Sequence, residues 1–222
     1  MSYDWEGFLK LLILLLEGAK LTVMVFFLTL FFSIPLGLLV AFGRMSKSRL
    51  ISEPIKIYIL LMRGTPLILQ IALVYFGPYY LLPEGMKINL DRFAAAVAAC
   101  TLNYAAYFAE IYRGGIQSIP KGQYEAAEVL GFSKIQTYTR IILPQVVKRI
   151  LPPMSNEIIT LVKDTALVQT IGISELFRVA TVQSSAKSST IPLAAAGMFY
   201  LIMNWVVTEI LQMAENKLNY YR

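Results

Sequence analysis

Residues 125–144 read EAAEVLGFSKIQTYTRIILP, a polar segment set between strongly apolar ones. Glu125, Ala126 and Ala127 favour helix, and Gly131 with Ser133 marks a break or cap six to eight residues later. A second short helical run follows and is expected to stop at Pro144, where a missing N–H and the ring would end it. Two short helices joined at a glycine, between long apolar segments, make a protruding knob rather than a core element.

Outward from the knob the chain is too apolar for a soluble domain: 57% of its 222 residues are hydrophobic and only 15% charged. A bilayer is the simple solvent for it. There is no histidine and one cysteine, Cys100, inside the apolar run 94–102. That excludes the usual Cys/His zinc patterns and a disulfide within the chain, and no metal or cofactor is expected. The net charge of +6 does not call for nucleic acid, because the basic residues lie beside apolar spans, where membrane topology accounts for them.

Five spans can be placed. Residues 21–42 carry no charge over 22 positions, enough to cross a bilayer, with Pro35 and Gly37 marking a kink or a close helix contact. Ahead of them, Trp5, Phe8, Leu11, Leu12 and Leu15 recur at helical spacing. Residues 1–19 therefore read as an interfacial helix, set off by the step at 17–20. Acidic residues and a short apolar run argue against a cleaved signal. The second span lies within 55–80 and contains Arg63 beside Pro66; the third is 92–112, rich in Ala and Tyr. The fourth, 146–172, is more polar and is entered through Pro152 and Pro153. The fifth is 191–212. A polar loop at 173–190, with a short helix near 174–183, and a charged tail at 215–222 complete the chain, which reads as one domain over 1–222.

Charge bias orients these spans. Residues 44–56 and 113–149 hold ten lysines and arginines, against four in the alternate loops 77–92 and 171–190. The knob is therefore placed inside, the N-terminus outside and the C-terminus in the cytoplasm.

Glu125-Ala126-Ala127, Gly131 after three residues, and Ile141-x-Leu143-Pro144 after nine more resemble the EAA signature of bacterial ABC importer permeases. RGTPLILQ at 63–70 and YFAEIYRGGIQSIPKGQYEAAEVLG at 107–131 are similar to the amino-acid branch of that family. The resemblance implies an all-α integral membrane protein of type I importer permease fold, multi-pass in the cytoplasmic (inner) membrane. Residues 113–145 would then be its coupling loop. It implies partners: two copies of an ATP-binding cassette subunit, a second permease chain as a homodimer or a sister chain, and an extracellular solute-binding protein. Glu125, Ala126, Ala127, Gly131, Ile141, Leu143 and Pro144 would carry coupling by alternating access. Through the RGTPLILQ motif, Leu67 and Gln70 would line the pathway.

Nothing catalytic stands out: there is no GxxxxGKS/T phosphate loop, no GxSxG and no HExxH. An intramembrane enzyme built on Glu157 and Asp164, or a passive channel, would leave the knob without a purpose. Glu157, Thr160 and Asp164 stand three and four residues apart, along one helical face of a span. Ionisable groups at that depth are candidate functional residues. Asp164 also lies in KDTAL, which resembles a family KDTSL-like motif with Ala166 in place of serine. Glu157 is expected to hold a cationic side chain, with Thr160 and Asn156 at the substrate's backbone groups. Tyr104 and Phe108, one turn apart, would pack on its stem or head. The substrate expected is a basic amino acid (arginine, lysine or histidine), with glutamine or another polar amino acid as the alternative. Glu110 and Arg113, at i and i+3, read as a structural pair.

Overall fold

The computed structural model describes residues 4–218; the first three residues of the expected interfacial segment and the last four of the charged tail lie outside it. Among the described residues every regular element is helical: α1 (Trp5–Arg44), α2 (Arg49–Gly64), α3 (Leu67–Tyr80), α4 (Arg92–Gln117), α5 (Lys121–Val129), α6 (Lys134–Gln136), a π-helical turn Thr137–Ile142, α7 (Leu143–Asp164), a 3₁₀ segment Thr165–Ile171, α8 (Leu176–Lys187) and α9 (Ile191–Leu218).

Asp4 caps α1 by accepting from the Gly7 N–H at 2.9 Å, and the helix then runs 40 residues without interruption. At 1.5 Å per residue that is about 60 Å, twice the hydrocarbon thickness of a bilayer. The break expected at 17–20 is therefore absent. Gly18 serves contact instead: a Cβ there would lie 3.0 Å from the backbone of Leu176 at the start of α8. Pro35 does not interrupt the helix either. Downstream of Gly18, the stripe Thr22, Val25, Phe26, Thr29, Ser33, Gly37 and Ala41 is buried at i+3/i+4 spacing and packs mainly on α4.

Packing fixes the directions of the helices. Val25 shares a core with Ala95, Ala96 and Ala99, whereas Ala41 shares another with Tyr112, so α1 and α4 run parallel. The chain must then return between them, and the α2–α3 pair is what lies there. α7 is antiparallel to α4: Ile150 abuts Gly115, Asp164 reaches Tyr104, and Val168 and Ile171 join the core of Ala95. α9 follows α1, with Ala196 beside Leu11 and Leu15 and Val207 against the core that holds Ala41.

α1, α4 and α9 are each long and apolar enough to cross a membrane. α2 and α3 meet that test only as a pair, bent by 114°. α7, carrying Lys148, Arg149, Glu157, Lys163 and Asp164, is not apolar enough by composition. The α2–α3 bend follows from Pro66, which lacks an N–H and holds Thr65 extended (φ −123°, ψ 150°). The carbonyls freed at the end of α2 do not go unpaired. The Gln70 side-chain amide donates to the Met62 and Thr65 oxygens at 2.9 and 3.1 Å, and Asn103 donates to the Met62 carbonyl and to Gln70 Oε1, both at 2.9 Å.

Candidate functional site

Two features bring the sequence candidates together: a polar cavity in the bundle and the knob. The cavity measures about 460 Å³. Two others, of about 570 and 530 Å³, have no ionisable group in their walls. Thr65, Pro66 and Leu67 form one wall at the α2–α3 break, where the first turn of α3 has no side-chain cap. Asn103, Tyr104 and Tyr107 of α4 form the second. Glu157, Thr160 and Asp164 of α7, with Leu167, form the third.

Asp164 accepts a hydrogen bond from the buried Tyr104 hydroxyl at 2.8 Å. Thr160 donates back along its own helix to the Asn156 carbonyl at 2.9 Å. Glu157 is half-buried and makes no hydrogen bond or close ion pair among the described residues; the cation whose field reaches it is Arg63, which lies over the Tyr107 ring. Asn103 spends its amide on Met62 and Gln70. The cavity thus holds two carboxylates, and no cation stands among its lining side chains.

Of the expected substrate residues, Leu67, Tyr104, Glu157, Thr160 and Asp164 line this cavity. Asn156 does not: it is exposed, about 100° around the helix from Glu157. Phe108 does not either. It is fully buried, and a Cβ on Gly37 would lie 2.8 Å from its Cβ, so it belongs to the α1–α4 contact. Gln70, expected in the pathway, is 8% exposed and holds the α2–α3 break. Tyr107 takes the place proposed for Phe108. Spacing alone does not separate the two, since i+3 and i+4 flank the same helical face. The Arg63 guanidinium stands 5.3 Å from the Tyr107 ring centroid and 3.8 Å from Glu110. Glu110 and Arg113 form the expected pair with two hydrogen bonds, at 3.0 and 2.6 Å.

The knob is a helix, a glycine turn and a second helical run. α5 ends in a Schellman turn: Phe132 N–H bonds to the Ala127 carbonyl at 3.0 Å and Gly131 N–H to that of Glu128 at 2.9 Å, with Gly131 at φ +77°. Ser133 and Gln136 form a capping box at the next start. The second run does not stop at Pro144, as expected. It widens into the π-helical turn Thr137–Ile142 and passes directly into α7, with Pro144 in α7's first turn, where no N–H is required. Glu125, Ala126, Gly131, Leu143 and Pro144 are exposed, Ile141 is half-buried, and Ala127 is buried against the rest of the knob. At the tip, Val129, Leu130 and Ile135 are 86%, 73% and 76% exposed, an apolar patch with no cover in a single chain.

Residues 33–220 match the family described as the binding-protein-dependent transport system inner membrane component. The octopine transport system permease protein of Rhizobium radiobacter is 36% identical, over 96% of this chain and 88% of that one. The glutamine transport system permease protein of Escherichia coli K12 is 35% identical over 98% and 99%, and the arginine transport system permease protein of Bacillus subtilis is 36% identical over 98% of each. A crystal structure of an amino acid ABC transporter with histidines superposes with a TM-score of 0.86 at 32% identity, over 98% of this chain and 100% of that one.

Proposed function

The chain belongs to the binding-protein-dependent transport system inner membrane components, and from that premise we propose that it carries a basic amino acid across the membrane for an ATP-driven importer. The transporter class rests on the family and on relatives named for octopine, glutamine and arginine transport. The choice of a basic substrate rests on one observation: Glu157 and Asp164 share a cavity whose walls hold no cation. Two carboxylates in a poorly solvated site are costly unless a cation joins them, and arginine, lysine or protonated histidine brings one. Glutamine, the alternative, could bond these groups through its amide but would leave both carboxylates without a cation, and the Asn103 NH2 is spent on holding the α2–α3 break.

In this reading the substrate's cationic head meets Glu157, its α-amino group meets Asp164, and Tyr104 and Tyr107 flank its stem. Its carboxylate lies by the uncapped first turn of α3, the positive end of that helix. Five crossings, with the knob and C-terminus inside, are supported by the alternating directions of α1, α2–α3, α4, α7 and α9 and by the basic residues gathered at 44–56 and 113–149. The exposed tip at Val129, Leu130 and Ile135 is the surface an ATP-binding subunit would cover. Two such subunits, a second copy of this chain and an external solute-binding protein complete the assembly we propose. ATP-dependent uptake by the reconstituted complex, with all twenty amino acids in competition, tests the reading. Strong competition by arginine and lysine but not glutamine is expected. The reverse order would reject the basic substrate, and uptake that persists without ATP would reject the importer in favour of a passive channel.

A further inference from the structure

A second, smaller polar cavity of about 300 Å³ lies between the end of α1, the length of α2 and α4, apart from the substrate cavity. Its walls carry Arg44, Lys56, Arg63 and Glu110, with Ile59 and Leu60 between them. The charges do not balance. Glu110 gives both carboxylate oxygens to Arg113, at 3.0 and 2.6 Å, and Arg63 meets it only at 3.8 Å. Lys56 stands 3.6 Å from Glu53, but both side chains are more than half exposed, a pairing of small weight. Arg63 is also taken up by the Tyr107 ring at 5.3 Å, which leaves Arg44 and Lys56 facing the cavity with only long-range or exposed partners. Leu60 in its wall is 70% exposed, and Ile57 and Leu61 on the same helix and Phe42 of α1 are 56%, 54% and 55% exposed. Phosphate chemistry fits the cations, and an acyl chain fits the surface next to them.

We propose that this cavity binds the phosphodiester headgroup of an anionic lipid from the inner leaflet. The leaflet assignment rests on the orientation proposed above; the site itself does not. A cationic pocket between helices at the cytoplasmic boundary is where anionic headgroups are held, and the exposed leucines and Ile57 keep the ligand's tails beside the protein. Inorganic phosphate has the same headgroup chemistry without the tails, so the two sources can be told apart.

The test uses the complete transporter in nanodiscs of phosphatidylcholine with a minor fraction of phosphatidylglycerol, and native mass spectrometry counts the phosphatidylglycerol retained on extraction. Losing two of the cations that line the cavity lowers headgroup binding by roughly thirtyfold, so R44A/K56A should lose the lipid. The charge-preserving R44K/K56R should keep it. K47A/R49A, which removes equal charge from exposed positions outside the cavity lining, should keep it as well. Inorganic phosphate should not displace it from the wild type. Equal retention by R44A/K56A, equal loss in either control, or displacement by phosphate would each overturn the proposal. Amino-acid uptake by the wild type is measured on the same preparations. A failure there counts against the transport reading, whereas an empty lipid site in an active transporter counts against this proposal alone.

Discussion

Replacing Glu157 with glutamine keeps the shape of the side chain and removes its charge. The carboxylate makes no hydrogen bond or close ion pair among the described residues, so within the protein the substitution gives up only the longer-range attraction of Arg63. What it removes is one of the two negative charges facing the cavity. A hydrogen bond to a charged group contributes about 1.5–3 kcal/mol, which corresponds to a ten- to hundredfold change in affinity. Asp164 retains its charge and its bond from Tyr104, so the loss should lie toward the lower end of that range, about tenfold for arginine. Glutamine, which brings no side-chain charge, should lose far less. The assay is ATP-driven uptake of labelled arginine and glutamine by the reconstituted complex, with one solute-binding protein throughout so that delivery is constant. Equal losses for both substrates, or none for either, would refute the reasoning and make Glu157 a structural residue.

At the knob, Gly131→Val should uncouple ATP hydrolysis from transport or prevent assembly. The added Cβ would meet open space, but φ +77° costs a β-branched residue about 1–2 kcal/mol, so the turn would reopen; normal uptake with normal ATPase stimulation would contradict this. In a Cys100→Ala background, Ser133→Cys should react only with reagent from the cytoplasmic side and Ser185→Cys only from outside, both positions being exposed; labelling of Ser133→Cys by an impermeant reagent on intact cells would invert the topology. Gln70→Leu should lower stability by about 1–3 kcal/mol, because the Met62 and Thr65 carbonyls lose the amide they share. Thermal unfolding in detergent reads this, and an unchanged midpoint would show that the bend does not depend on that side chain.

Much of this was legible in the sequence where periodicity and turn chemistry act locally. Glu125-Ala126-Ala127 and Gly131 gave the helix and its left-handed stop, and the 157–160–164 spacing placed three side chains on one cavity wall. What escaped was decided by neighbours. Gly18 looked like a break, yet in a helix pressed against α8 a missing Cβ is a contact device. Pro144 looked like a stop, but a proline in a first turn lacks only an N–H that nothing needed, and a widened turn ahead of it carries the chain through. Phe108 and Tyr107 are equally placed by spacing; the approach of α1 at Gly37 sends Phe108 into the core and leaves Tyr107 to the cavity. Gln70 was expected in the pathway through the RGTPLILQ resemblance, and the need to satisfy carbonyls at the Pro66 bend claimed it.

The uninterrupted passage through Pro144 bears on how ATP could drive transport. Had the knob ended there, movement at its tip would be lost in a flexible joint. Instead one helical path runs from Ser133 through the π-helical turn into α7 and on to Glu157, Thr160 and Asp164. Fourteen residues separate Leu143 from Glu157, about 21 Å of helix. The opposite walls of the cavity belong to α4 and the α2–α3 break, which are fastened to each other by Asn103 and Gln70 and, through α4, to α1. On the proposed reading, a displacement of the tip therefore shifts the carboxylate wall against the α4 wall, and the Tyr104–Asp164 hydrogen bond is the contact between them that must give. The cavity changes shape without either wall having to unfold. Pro152 and Pro153 sit between the tip and Glu157 and deprive α7 of two backbone hydrogen bonds, which makes that turn the place where the lever can bend. On the proposed reading, coupling and selectivity share a single helix: the one end would meet the ATP-binding subunit, and the other would hold the charge that the substrate neutralises.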